Sequence, residues 1–445
     1  MTTIGKLGKF LRRAARDESG SIMITAGFAI VMLIVAGGAA VDFARAITTR
    51  AVIANAIDAA ALAAAKQLSI NALSDSAVRT IVEESFQANV GDKYGDVELR
   101  VDDVQINPDL GTVTVEASAD IPTFFIKLAN INDLKVHNSS EVTYSRYDVE
   151  LALVVDVTGS MSGDIEDLRD ASEGVVNILL PDEDDQAESK VKISVVPYSV
   201  GVNMGSYAAT VTGGASNRCA TERVGPEQYT DASYSEELVG DGSGTMRSQD
   251  CSSSVILPLT NDRQDLIDNI RALRTDGYTA GHTGIGWGWY TLSPEWSDLW
   301  PGDSQPRPYE DDDILKFAVI MTDGDFNTHY KYEELTKNQC KNKYRSSKEY
   351  LCQNGTNWYW TENSQWGYNG ESSKRGRNLC SGMKDKDIRV YSVFFGSNNS
   401  SNGARVMKNC ATDEATTYFQ AKDGDDLVRA FALIAKDIQS IYLSK

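Results

Sequence analysis

Two short apolar runs, Leu151–Val155 and Phe317–Ile320, contain no polar position, the pattern of strands buried on both faces. Strand-like and helix-like segments alternate around them. Strands are expected at 149–155, 191–198, 316–321, 388–395 and 418–420, and helices at 164–180, 264–273 and 426–443. Such alternation predicts an α/β fold, a doubly wound and mainly parallel sheet with helices on both faces.

The first third of the chain is patterned differently. An apolar segment runs from Ile22 to Val41, with no charge between Glu18 and Asp42. About 20 apolar residues at 1.5 Å each span a bilayer core. Lys6, Lys9, Arg12, Arg13 and Arg16 precede it, which places the N-terminus in the cytoplasm and the rest outside. A cleaved signal peptide is the competing reading, since Ala36-Gly37-Gly38-Ala39-Ala40 offers small residues; a retained single-pass anchor is favoured because a helical pattern continues through it.

Residues 43–68 are Ala-rich and helical by propensity, and a second helix is expected near 75–87 with Ser74 as N-cap. Alternation at 97–101 and 112–116 reads as strands flanking the turn Asn107-Pro108-Asp109-Leu110-Gly111. Residues 141–147 read as a closing strand. A long helix followed by a small antiparallel sheet resembles the outline of pilins and pseudopilins. The expected division is a basic segment 1–20, a transmembrane helix 21–42, a pilin-like α+β domain 43–147 and an α/β domain 148–445 with insertions near 203–254 and 326–372.

Charge narrows the function. A net charge of −20 over 445 residues argues against nucleic acid, whose phosphates require a basic surface. All six cysteines (219, 251, 340, 352, 380 and 410) lie beyond the apolar segment and lack the Cys-x-x-Cys spacing of zinc sites. Structural disulfides in an oxidising compartment are expected, with sequential pairing as the simplest of the alternatives. The second insertion is aromatic-rich, suiting either a recognition surface or a local satellite core.

Candidate chemistry sits where the buried strands end. Asp156-Val157-Thr158-Gly159-Ser160 follows the first, and Met321-Thr322-Asp323-Gly324 follows the second. Asp156, Thr158 and Ser160 place a carboxylate and two hydroxyls at alternate positions, and Asp323 adds a second carboxylate. In doubly wound sheets ligands collect beyond the carboxyl ends of strands, and hard cations take such oxygen donors. Other constellations are weaker. Gly284, Gly286 and Gly288 lack a dinucleotide-binding context, and Ser160 has no identifiable base partner. His137, His282 and His329 form no recognisable zinc motif.

These motifs resemble the metal-ion-dependent adhesion site (MIDAS) of von Willebrand factor type A domains, with Thr158 where Ser is commoner. The N-terminal Glu18-Ser19-Gly20, Val41-Asp42-Phe43 and Ile57-Asp58-Ala59-Ala60-Ala61-Leu62-Ala63 resemble the TadE/TadG-like N-terminus of the Tad (Flp) pilus assembly system. Joined to a type A domain, the order resembles TadG. Prepilin-like members carry Glu shortly after the processing glycine, whereas Thr25 is the fifth residue after Gly20 here, so an uncleaved anchor is expected.

The resemblance implies metal ligation by Asp156, Thr158, Ser160, Asp323 and a third loop within Thr279–Pro294. Thr279 is preferred there, with Thr283 the alternative register; Asp325 is expected to serve the turn. It implies Mg²⁺, with Ca²⁺ or Mn²⁺ as alternatives, and a partner carboxylate completing the shell. The implied role is binding rather than catalysis: a bacterial inner-membrane protein engaging pilus or secretion-system proteins. A free-standing envelope adhesin and a metal-dependent hydrolase are the alternatives.

Overall fold

The computed structural model describes residues 21–91, 97–108, 110–180, 188–214, 218–240, 251–333, 357–360 and 367–444. The basic segment 1–20, the acidic tract 181–185, Cys340, Cys352 and most of the aromatic insertion lie outside these residues. The chain divides into two units, 1–68 with 73–144 and 69–72 with 145–445.

In the first unit, helix α1 (Ser21–Ile70) is continuous through the apolar segment. It is the one helix among the described residues long and apolar enough to cross a membrane. Helix α2 (Asp75–Val90) starts at Ser74, whose hydroxyl accepts from the Ala77 amide at 3.4 Å. An antiparallel sheet follows, with β2 (Thr112–Pro122) between β1 (Glu98–Asn107) and β3 (Asp133–Thr143). Alternate β2 residues, Val113, Val115, Ala117, Ala119 and Ile121, pack onto the same core as Ile53, Ile57 and Phe86. The closing strand expected at 141–147 begins earlier and ends at Thr143. It pairs with β2 from Pro122↔Asp133 to Thr112↔Thr143, so β2 length sets its register.

The second unit is built on β4 (Asp148–Asp156), β5 (Val191–Tyr198), β6 (Leu257–Thr260), β7 (Ile314–Thr322), β10 (Arg389–Phe395) and β11 (Tyr418–Ala421). Their spatial order is β6-β5-β4-β7-β10-β11, with β6 antiparallel and the others parallel. Numbered by sequence, that is 3-2-1-4-5-6, with the switch point between β4 and β7. A separate hairpin pairs β8 (Tyr330–Glu333) with β9 (Asn357–Trp360).

Successive β4 residues face opposite layers. Leu151, Leu153 and Val155 join α3 (Ile165–Leu179), α4 (Arg263–Arg271) and α8 (Gly424–Ser444) on one face. Ala152 and Val154 join α5 (Gly281–Tyr290), α6 (Glu371–Asp385) and α7 (Asn402–Cys410) on the other. The doubly wound α/β expectation holds.

The reading of Thr279–Pro294 as one loop is corrected, because α5 begins at Gly281. Its glycines permit close packing: a Cβ at Gly288 would lie 2.4 Å from Val154 Cγ2, and one at Gly284 2.3 Å from Tyr198 Cδ1. Disulfides join Cys219 to Cys251 and Cys380 to Cys410, as sequential pairing requires.

Candidate metal centre at the carboxyl edge of the sheet

The central parallel strands deliver the site. β4 ends on Asp156, whose carboxylate is fully buried. Its Oδ1 accepts from the Thr158 amide at 3.0 Å, which turns the chain sharply after the strand. Its Oδ2 accepts from Thr322 Oγ1 at 2.8 Å and from the Tyr198 hydroxyl at 3.2 Å. The ends of β4, β5 and β7 are thereby tied to one carboxylate.

The turn brings the hydroxyls forward. Thr158 Oγ1 and Ser160 Oγ lie 2.9 Å apart, and Ser160 donates to Asp323 Oδ1 at 2.9 Å. Thr279 Oγ1 stands 3.5 Å from Thr158 Oγ1. Its loop is held against the first by backbone bonds, Gly159 N–H to Gly277 O at 3.0 Å and Asp276 N–H to Val157 O at 2.9 Å. Asn327 fixes Thr279 from the other side, accepting from its amide at 3.0 Å and donating its own to the Thr279 carbonyl at 3.0 Å.

Asp156, Thr158, Ser160, Thr279 and Asp323 therefore stand in one cluster. Thr283 does not join it: it lies one turn into α5, and its hydroxyl donates to Glu222 Oε2 at 3.2 Å. Asp325 faces away, accepting from the Gly403 amide at 2.6 Å and Asn402 Nδ2 at 3.1 Å, and so caps α7. His282 is buried, with Nδ1 2.7 Å from Ser372 Oγ and Nε2 3.0 Å from Glu222 Oε1 outside hydrogen-bond geometry. His137 belongs to the first unit's sheet, 3.8 Å from Asp102. Among the described residues no group of three or more His, Cys, Asp or Glu could hold a metal, so the three histidines form no zinc site.

Electrostatics single out the two clustered carboxylates. Burial raises Asp156 above its ordinary range. Burial, followed by repulsion from Asp156, pushes Asp323 up to about 7. Among the described residues no Lys, Arg or His forms an ion pair with either. Two crowded carboxylates and three hydroxyls, all oxygen, supply the donor chemistry that a hard divalent cation takes. Tyr198, Thr322 and Asn327 were not anticipated as supports. Only Thr322 carried a signal, its place beside Asp323 in the second motif.

Residues 20–67 match the Tad family model, "Putative Flp pilus-assembly TadE/G-like". The N-terminal segment is TadE/G-like. No curated protein matches the chain. Among solved structures, the vWF domain of the type V pili tip protein Mfa5 from Porphyromonas gingivalis is similar at 14% identity and a TM-score of 0.40, over 66% of this chain and 96% of that one. The pilus adhesin SpaC from Lactobacillus rhamnosus GG is similar at 13% identity and 0.38, over 79% of this chain and 36% of that one, so the match spans about a third of SpaC. Proximal thread matrix protein 1 from the mussel byssus, with a zinc-occupied MIDAS motif, is similar at 11% and 0.32, over 66% of this chain and 46% of that one. The overall likenesses are slight. The sheet order and the strand-end positions of both motifs are those of a doubly wound α/β fold, and the segment similar to the TadE/G-like model precedes it in the chain.

Proposed function

We propose that this protein is a membrane-anchored envelope component of Tad pilus assembly whose α/β domain binds a partner through a divalent cation. Asp156, Thr158, Ser160, Thr279 and Asp323 would hold the ion, with Mg²⁺ suiting a small oxygen site and Ca²⁺ or Mn²⁺ as alternatives. A carboxylate from a pilus or secretion-system protein would complete the shell. Helix α1 would anchor the chain in the bacterial inner membrane, with residues 1–20 cytoplasmic and everything after Asp42 outside. The role is adhesion or assembly rather than chemistry.

The observation that supports this best is the convergence of five oxygen-bearing side chains at the switch point, their two carboxylates without a cationic neighbour among the described residues. The test is copurification from envelope extracts with Mg²⁺ or EDTA, for the wild type and Asp323→Asn. Pilus-assembly proteins should copurify with the wild type in Mg²⁺ and be lost in EDTA and in the variant. Their retention in all samples would remove the metal from the interaction. Their absence from all would remove the pilus role.

A further inference from the structure

An apolar loop stands beside the end of the hydrophobic segment of α1. Residues 123–131 lie in the connection from β2 to β3, and Phe124 is 61% exposed, Leu128 72% and Ile131 46%. Phe125 lies against α1, where a Cβ at Gly38 would come within 2.2 Å of its side chain. Asp42, on the next turn of α1, is only 2% exposed. Its carboxylate accepts from three consecutive loop amides, Phe124 at 3.1 Å, Phe125 at 2.8 Å and Ile126 at 2.9 Å. Arg45 completes the attachment, donating to the Pro122 carbonyl at 3.1 Å with its guanidinium 4.3 Å from the Phe124 ring centroid.

Four further loop amides bond within the β2–β3 connection. Thr123 N–H donates to Asn132 O at 2.9 Å, Leu128 N–H to Phe125 O at 3.1 Å, Asn130 N–H to Lys127 O at 2.9 Å and Ile131 N–H to Ile126 O at 3.4 Å. Internal bonding of that kind lowers the cost of bringing irregular backbone up to the hydrocarbon edge. Gly38–Arg45 spans about 10 Å of helix axis and includes the first charge after the apolar run. The loop therefore shares the level at which α1 would leave the hydrocarbon. The apolar surface of α1 continues beside it through Val41 and Phe43, both about half exposed. Phe and Leu side chains with a Lys in reach of the headgroups, here Lys127, suit that boundary.

We propose that residues 123–131 form a second membrane contact, a wedge of Phe124, Leu128 and Ile131 in the headgroup–acyl boundary, held there by Asp42. The proposal rests on α1 being a membrane anchor, and the test separates the two. Single tryptophans are introduced into the full chain at Phe28→Trp, Leu128→Trp and Leu110→Trp, and the protein is reconstituted in phosphatidylcholine vesicles brominated at shallow or deep acyl positions. The seven native tryptophans, all from Trp287 onward, are subtracted using the unsubstituted chain.

The Phe28→Trp signal should fall with deep bromines, Leu128→Trp should fall about twofold with shallow ones, and Leu110→Trp should not change. Adding Asp42→Ala to Leu128→Trp should restore its emission while leaving Phe28→Trp quenching intact. Quenching at Phe28→Trp but not at Leu128→Trp overturns the wedge and keeps the anchor. A blue-shifted but unquenched Leu128→Trp signal would mean that protein, including a second copy, covers the loop, and equally overturns the proposal. No quenching at Phe28→Trp removes the anchor and the wedge together. Unchanged quenching of Leu128→Trp with Asp42→Ala would remove the role given to Asp42.

Discussion

Ser160 donates its hydroxyl to Asp323 Oδ1 at 2.9 Å across a sequence separation of 163 residues, closing the contact between the first and second candidate loops. The contact exists because β4 and β7 are parallel neighbours in register from Ile314↔Asp148 to Ile320↔Val154, so both chains leave the sheet at one edge. Sheet topology thus makes one site from two distant loops.

The third loop can be assigned by isosteric substitution. Thr279→Val should lower metal-induced stabilisation by about 1.4 kcal/mol for each tenfold loss of affinity. Thr283→Val should keep the metal response and instead lower apo stability by about 1–3 kcal/mol, because Glu222 Oε2 loses a buried donor. Thermal melts with and without Mg²⁺ check both. The opposite pattern would exchange the roles of the two threonines.

Close packing of α5 should be indispensable. Gly288→Ala and Gly284→Ala each drive a methyl into a side chain of β4 or β5 and should destabilise by about 1–3 kcal/mol in chemical denaturation. Gly284→Ala should also weaken metal binding. Its new methyl meets Tyr198, whose hydroxyl bonds Asp156. Metal titration of the two variants distinguishes general destabilisation from displacement of the site.

His329 should weaken the fold on acidification. Burial, reinforced by His282 and Arg375 and opposed by Glu222 and Glu371, lowers it to about 4. The unfolded chain then binds the proton more readily, so the His329 contribution to stability falls as pH drops from about 6.5 to about 4, by up to about 3 kcal/mol, against the opposite contribution of Asp323, which the folded state protonates near 7. His329→Gln should gain stability relative to the wild type as pH falls across that window, read as the difference between their denaturant midpoints in EDTA. An unchanged slope would place the sensitivity elsewhere.

Cys219–Cys251 and Cys380–Cys410 each close a loop of about 30 residues, for which chain entropy gives roughly 3–4 kcal/mol of stabilisation. Non-reducing peptide mapping should recover both pairs, and Cys380→Ser with Cys410→Ser should lower the melting temperature in oxidising buffer.

The central strands were legible because Leu151–Val155 and Phe317–Ile320 are uninterrupted apolar runs, which double-sided burial demands. The candidate loops followed from those strands. Helix α5 was not legible: Gly284, Gly286 and Gly288 lower its propensity, and burial on all sides leaves it no amphipathic stripe. Thr279 and Thr283 could not be separated by spacing, since the choice depends on where that helix begins. The capping role of Asp325 depends on Asn402 and Gly403, nearly eighty residues away, which no local pattern reveals.

A working metal centre must couple ion binding to stability, which thermal unfolding of the full chain in detergent reads out. Wild type and Asp323→Asn are compared in EDTA, Mg²⁺, Ca²⁺ and Mn²⁺. A cation at a hundred times its dissociation constant should stabilise the wild type by roughly 2.7 kcal/mol, and the variant should lose most of that gain. Wild type and variant that respond identically to every ion, or a folded wild type that responds to none, would contradict a metal site built on Asp156 and Asp323.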